Sequence, residues 1–261
     1  LEELLAAADP AAQPLHVPDL PAPNREEVFA HIDGMVQNAV STGEITGAVV
    51  CIGSADGIIF EKAFGRRSPD SGSAAMTVDS IFDIASLTKV VATAPAIMKL
   101  VEEGAVKLDA PLGTYLPEAS MKIHNGITVR QLLTHYSGLT STIHPPSQRK
   151  RKRQRILYGN ELMKAIYRAP IEARPGTEFI YSDLGYILLG RIAEKRTGIR
   201  FDRYVSRSIF APLKMNDTEY CPAKGLAERI CFSEEQRKGC YLRGSVQDPI
   251  AGRLSGITGH A

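Results

Sequence analysis

What most limits how this chain can fold is a shortage of strands. Residues 47–53 and 58–64 are short apolar runs joined at Ala55-Asp56-Gly57, and an Asp-Gly pair favours a tight turn, so they read as an antiparallel hairpin. Two strands do not make a stable sheet alone. Ahead of them, Val28, Ile32, Met35, Val36, Ala39 and Val40 recur at helical spacing from Arg25, with Gly43 as a stop signal, which predicts an amphipathic helix. After Phe82 the pattern turns helical, at about 86–103, 128–135, 160–167, 184–196 and 201–209. Pro95 should kink the first of these or leave a carbonyl without its partner. Only the short segment after Arg253 is left to extend the sheet, so the sheet is expected to be incomplete in this chain.

With 261 residues the chain can bury a sizeable core, and 31 basic against 29 acidic residues leave a formal charge of only +2. A field that weak neither recruits nor strongly repels nucleic acid, so partner choice must come from a local site. No run approaches the roughly 20 apolar residues that span a bilayer. Residues 1–24 hold five prolines and much alanine and read as a leader or linker; with no initiator methionine at Leu1, an upstream piece is expected to have been removed or left out. Cys51, Cys221, Cys231 and Cys240 lack zinc-site spacing and are too sparse for a disulfide scaffold, so free or buried thiols are expected, with a bridge from Cys231 to Cys240 or Cys221 as the alternative.

The chemistry is expected at two places. In 82–89, Phe-Asp-Ile-Ala-Ser-Leu-Thr-Lys, Ser86 and Lys89 stand three apart at the start of a helix, where their side chains can touch. A serine hydroxyl needs a base, and a desolvated lysine can serve as one; the helix amino terminus favours a developing oxyanion. Ser-x-x-Lys alone is a weak signal that a solvated helix face also produces. It gains meaning from Tyr181-Ser182-Asp183, 95 residues beyond Ser86, which follows the turn Arg174-Pro175-Gly176-Thr177 and leads into a helix. A tyrosine held against a lysine can pass protons to a leaving group and take one from water; the bland alternative is a tyrosine closing a turn.

These words, with Ile127-Thr128-Val129-Arg130-Gln131-Leu132-Leu133-Thr134-His135, Tyr136-Ser137-Gly138-Leu139, Pro175-Gly176 and Ile209-Phe210-Ala211-Pro212-Leu213-Lys214-Met215, occur in order. The chain from about Ile45 onward resembles the serine β-lactamase, penicillin-binding protein and esterase superfamily, in its class C-like branch. The resemblance implies an α/β (α+β) fold of the β-lactamase/transpeptidase type: an antiparallel sheet flanked by helices, plus a helical lobe. Residues 25–85 and 253–261 would form the α/β lobe and 86–252 the helical lobe, with the active site at their junction. It further implies that Ser86 forms an acyl-enzyme, Lys89 activates it, Tyr181 moves protons, and Asp183 holds a substrate-contacting position often occupied by an amide. No cofactor or metal is implied. The reaction would be hydrolysis of a small ester, peptide or β-lactam carbonyl, with an esterase or weak D-alanyl carboxypeptidase or penicillin-binding activity. The resemblance favours a periplasmic or secreted bacterial protein over a cytoplasmic one.

Two departures qualify it. The family's third motif, Lys-Thr-Gly or His-x-Gly on a strand forming the opposite wall of the cleft, is missing; Ile257-Thr258-Gly259 has the Thr-Gly letters without the cation, and Gly259-His260-Ala261 reads as the start of a helix. That absence supports an alternative, a non-catalytic ligand-binding or regulatory module. Asp183 also adds a negative charge that should repel the carboxylate of penicillin-like substrates. The six cations within 149–155 and the histidines His124, His135 and His144 are expected to be a solvated loop and packing residues, not a nucleic-acid or metal site.

Overall fold

The computed structural model describes residues 24–70, 72–119, 126–143, 159–237 and 240–260. The stretch 1–23, the basic run 149–155, His124 and His144 lie outside the described residues. The chain groups into two compact units, residues up to Asp83 with Ala223–Gly244, and Ile84–Pro222 with Ser245–Ala261.

The first unit opens with α1 (Arg25–Thr42). The Asn24 side chain caps it by accepting from the Glu26 amide, and Gly43, at φ 79°, ends it in the left-handed conformation with its N–H turned back to the last carbonyls. Strands β1 (Gly47–Ser54) and β2 (Gly57–Gly65) form the expected hairpin, in antiparallel register from Gly47 opposite Gly65 to Ser54 opposite Gly57. Phe29 of α1 stacks on Phe60 of β2 at 5.0 Å.

A second hairpin, β3 (Phe232–Arg237) and β4 (Cys240–Arg243), joins this unit without pairing to the first. It was expected in the helical lobe. The reason for the difference is a set of backbone bonds: Ile81 N–H donates to Arg229 O, Cys231 N–H to Ile81 O and Phe232 N–H to Arg67 O. Arg67 adds bonds to Ser80, Thr77 and the Glu228 carbonyl. Cys231 is buried with its sulfur 3.6 Å from that of Met76; it, Cys51 and Cys221 are free thiols, so Cys231 makes no bridge.

The second unit is helical. The run 86–103 does not continue straight: a 3-10 turn (Ala85–Leu87) gives way to a π turn (Lys89–Thr93) and then to α2 (Ala94–Glu102). Pro95 explains the break. Its missing N–H is tolerated in the first turn of α2, while the Ala94 N–H reaches back to Lys89 O across the widened turn. Next come α3 (Val129–Leu133), which Thr128 and Gln131 start with a reciprocal capping box, and α4 (Gly159–Ile166). At the centre is α5 (Asp183–Thr197), nine of whose fifteen residues are buried. A helix apolar on most sides belongs inside a core.

After α5 come α6 (Phe201–Val205), a second π turn (Ser206–Phe210) and α7 (Pro249–Arg253), which Asp248 caps through the Ile250 and Ala251 amides. Residues 253–260, expected with the α/β lobe, group instead with the helical unit. Glycine accounts for it: a Cβ on Gly259 would sit 2.0 Å from Tyr186 O of α5, so only this residue type lets the segment lie against that helix. Residues 257–260 form no helix. Among the described residues no helix is long and apolar enough to cross a membrane.

Candidate active site

Ser86 is exposed on the turn before α2, and Ala85 beside it holds φ at 44°, a strained conformation for a side chain with a Cβ. Lys89 is only 3% exposed. Its ammonium donates to Ser86 Oγ at 3.1 Å, Asp183 Oδ1 at 2.7 Å and the His260 carbonyl at 3.3 Å. Three acceptors use the three protons of an ammonium, which answers how a cation can be buried here. Its Nζ also lies 5.0 Å from the centre of the Tyr181 ring and 5.6 Å from that of Tyr186. The structure therefore brings Ser86, Lys89, Tyr181 and Asp183 together around one nitrogen.

Asp183 is the first residue of α5, where a carboxylate is favoured by the helix dipole, and Ser182 caps that helix by accepting from the Gly185 amide. The carboxylate is engaged with Lys89, a partner not anticipated from the sequence. The pair is neutral, so the expected repulsion of anionic substrates is replaced by the loss of the attraction a lone Lys89 would exert.

Tyr181 is 44% exposed and sits on a connection zipped to the residues that follow α3. Gly176 N–H donates to Tyr136 O, Ile180 N–H to His135 O, Asp183 N–H to Ser141 O and Glu172 N–H to Gly138 O. Gly138, at φ 72°, has Ala173 O where a Cβ would be, 2.0 Å away, so the close approach of these strands of chain requires glycine. The Leu-Leu-Thr-His-Tyr-Ser-Gly-Leu words thus form the cradle of the second motif.

Two histidines expected to be bland, or not considered, belong to the site. His135 accepts the Ser182 amide proton at Nδ1, 3.1 Å away, and stacks on Tyr181 with ring centres 4.4 Å apart. Burial and then the Lys89 charge hold its imidazole below the ordinary histidine value, against an opposing pull from Asp183. His260 is 2% exposed, with Nδ1 2.9 Å from Thr258 Oγ1 and Nε2 3.0 Å from Asp248 Oδ1. Burial would raise the Asp248 pKa, but the hydrogen bonds from His260 and the α7 amides outweigh it and bring the carboxyl below its usual value. Thr93 Oγ1 donates to Gly259 O at 2.6 Å, fixing the same segment from the π turn. Among the described residues no group of three His, Cys, Asp or Glu side chains could hold a metal ion.

The site thus holds a buried lysine on an exposed serine, with the Tyr181 ring against the lysine. Residues 32–242 match the Beta-lactamase family, so the chain belongs to the β-lactamase family of serine hydrolases. It is 30% identical over 230 residues to the N-acetylmuramyl-L-alanine amidase of Bacillus subtilis (strain 168), covering 84% of this chain and 52% of that protein. It is 32% identical over 206 residues to an Escherichia coli (strain K12) protein named "Putative D-alanyl-D-alanine carboxypeptidase", covering 74% of this chain and 46% of that one. The chain thus spans about half the length of these relatives. In fold it is similar to a class C β-lactamase crystal structure, with a TM-score of 0.73 at 18% identity over 92% of this chain and 63% of the other.

Proposed function

We propose that the chain carries the nucleophile and proton-transfer half of a hydrolase that opens an ester, amide or lactam carbonyl through an acyl-enzyme on Ser86. The observation that carries this reading is the hydrogen bond between Lys89 Nζ and Ser86 Oγ, closed in by the Tyr181 ring and Asp183. The Lys89–Tyr181 pair must first give up one proton, leaving Lys89 as an amine or Tyr181 as a phenolate; as Ser86 Oγ then bonds to the carbonyl carbon, its proton passes into the vacant position of the pair. The same pair then protonates the departing alcohol or amine as its bond to the carbonyl breaks. Water next attacks the acyl carbon and gives a proton to the pair, which passes it to Ser86 Oγ as the acyl–Oγ bond breaks, releasing a carboxylic acid and the serine hydroxyl.

The neutral Lys89–Asp183 pair supports acyl donors that bring no negative charge close to it, a small ester or an uncharged stretch of peptide. The names of the relatives point to cell-wall peptides as the substrate class. A second reading, a ligand-binding module without turnover, draws on the same contact, because the Lys89 nitrogen is shared between Asp183 and Ser86.

The test is intact-mass spectrometry after incubation with a fluorophosphonate probe and, separately, with a penicillin, using Ser86→Ala as control. A Ser86-dependent mass gain is the expected result, larger for the uncharged probe. A folded chain that gains no mass from either would leave the binding-module reading in its place.

A further inference from the structure

His135 holds the backbone on both sides of Tyr181. Its carbonyl accepts the Ile180 amide proton at 2.9 Å, its Nδ1 accepts that of Ser182 at 3.1 Å, and its ring lies on the Tyr181 ring between them. To do this it adopts φ 61°, a conformation unfavourable for most side chains. We propose that His135 is a positioning residue for the proton-transfer step: a neutral imidazole clip that sets the Tyr181 ring over Lys89 and releases it on protonation. The inference rests on the reading that Tyr181 moves protons at Ser86.

The geometry dictates the protonation state. With Nδ1 accepting, the single ring proton of neutral His135 is on Nε2. A second proton on Nδ1 would face the Ser182 N–H, donor against donor, so the imidazolium cannot keep the bond. The groups facing the ring act in both directions. Lys89 opposes the added charge and Asp183 favours it, while the Tyr186 ring, 5.1 Å away, has its hydroxyl proton engaged with Leu133 O. Phe179 packs edge-on at 5.7 Å, and Tyr181 offers only its ring face. In acid the clip opens. Ser182, which caps α5, loses a backbone partner, and Tyr181 loses the contact that fixes its ring.

Two variants separate the parts of the clip. His135→Asn keeps an oxygen acceptor near Nδ1 and tolerates the left-handed conformation, but cannot titrate. His135→Phe keeps a ring and removes the acceptor. Fluorophosphonate labelling of Ser86 is followed by intact mass across the acid to neutral range, with thermal melts to confirm folding. In parallel, NMR follows the His135 imidazole nitrogens, the Ser182 amide and the Tyr181 ring over the same range.

The Ser182 and Tyr181 signals are expected to move with the His135 titration. His135→Phe should label roughly 10-fold to 100-fold more slowly, the scale of a misplaced catalytic group. His135→Asn should restore the rate to within about threefold and lose the acidic limb that the wild type shows. A folded His135→Phe that labels at the wild-type rate overturns the proposal, and so do Ser182 and Tyr181 signals that ignore the His135 titration. Should His135→Phe fail to fold, the pH profile of His135→Asn decides alone, an unchanged acidic limb counting against the clip. Absence of any Ser86 labelling in the wild type would remove the hydrolase reading, while the NMR titration would still decide whether the clip exists.

Discussion

Lys62 and Asp33 in the first unit make the same ion pair as Lys89 and Asp183 in the second, and the two settings give it opposite meanings. The first joins β2 to α1 on the surface, with side chains 47% and 36% exposed; the second is 4% and 24% exposed. Water already solvates the first pair, so joining it changes little. In the second Lys89 has left water, and its ammonium depends on Asp183 and on the Ser86 and His260 oxygens. The helices that carry the two aspartates differ in the same way. Both have a side-chain N-cap and a left-handed glycine at the C-terminus, yet α1 has no buried residue and α5 has nine. Caps decide where a helix starts and stops; what it buries decides whether it can hold a charge out of water.

The largest contrast should come from the lysines. Lys89→Ala is expected to slow Ser86 labelling by roughly 100-fold to 10,000-fold, the usual contribution of a proton-transfer group. It should also cost about 1–3 kcal/mol in urea unfolding, since Asp183, only partly exposed, loses its cation. Lys62→Ala should leave labelling unchanged and stability within about 1 kcal/mol. Equal losses in the two variants would erase the distinction. Next, Leu188→Ala in α5, fully enclosed, should destabilise by about 2–5 kcal/mol, whereas Met35→Ala in α1, 60% exposed, should stay within about 0.5 kcal/mol by thermal melting.

A smaller effect is expected from Asp183→Asn, which restores a net positive charge beside Ser86. The ratio of labelling by an anionic acyl donor to that by a neutral one should rise roughly fivefold, the rate equivalent of about 1 kcal/mol of Coulomb attraction. An unchanged ratio would show that the pair's charge does not reach the substrate. The smallest effect is in acid stability. His135 has a lowered pKa when folded, so the unfolded chain binds its proton first; the contribution is complete above about pH 6.5 and is lost as pH falls from there toward the folded value. Asp248 acts in the same direction at lower pH, below the ordinary carboxylate value. Urea midpoints of the wild type should therefore fall on acidification from neutrality, and those of His135→Asn should fall less in the first part of that range.

Much of this arrangement can be read from local sequence. The α1 periodicity, the hairpin with its Asp-Gly turn and the Ser-x-x-Lys spacing all act between residues a few positions apart, where pattern and geometry coincide. The β3/β4 hairpin could not be read: Phe-Ser-Glu-Glu-Gln-Arg has no apolar alternation, and its place is set by bonds to residues 67 and 81. The short α7, capped by Asp248 ahead of Pro249, was not among the helices read from the sequence. The roles of His135 and His260 had no local signal, because each depends on partners brought close only by the folded chain.

Gly259 and His260 also impose an order in time. The His260 carbonyl is 171 positions beyond Lys89, so a chain leaving the ribosome presents its serine and lysine well before the last acceptor of the ammonium has been made. Until then the nucleophile stands beside a lysine whose surroundings are unfinished. The Gly259 backbone lies so close to Tyr186 O that the segment carrying this acceptor admits no side chain there. A chain that stopped ahead of residue 260 would hold Ser86 and Lys89 without the third acceptor of the ammonium.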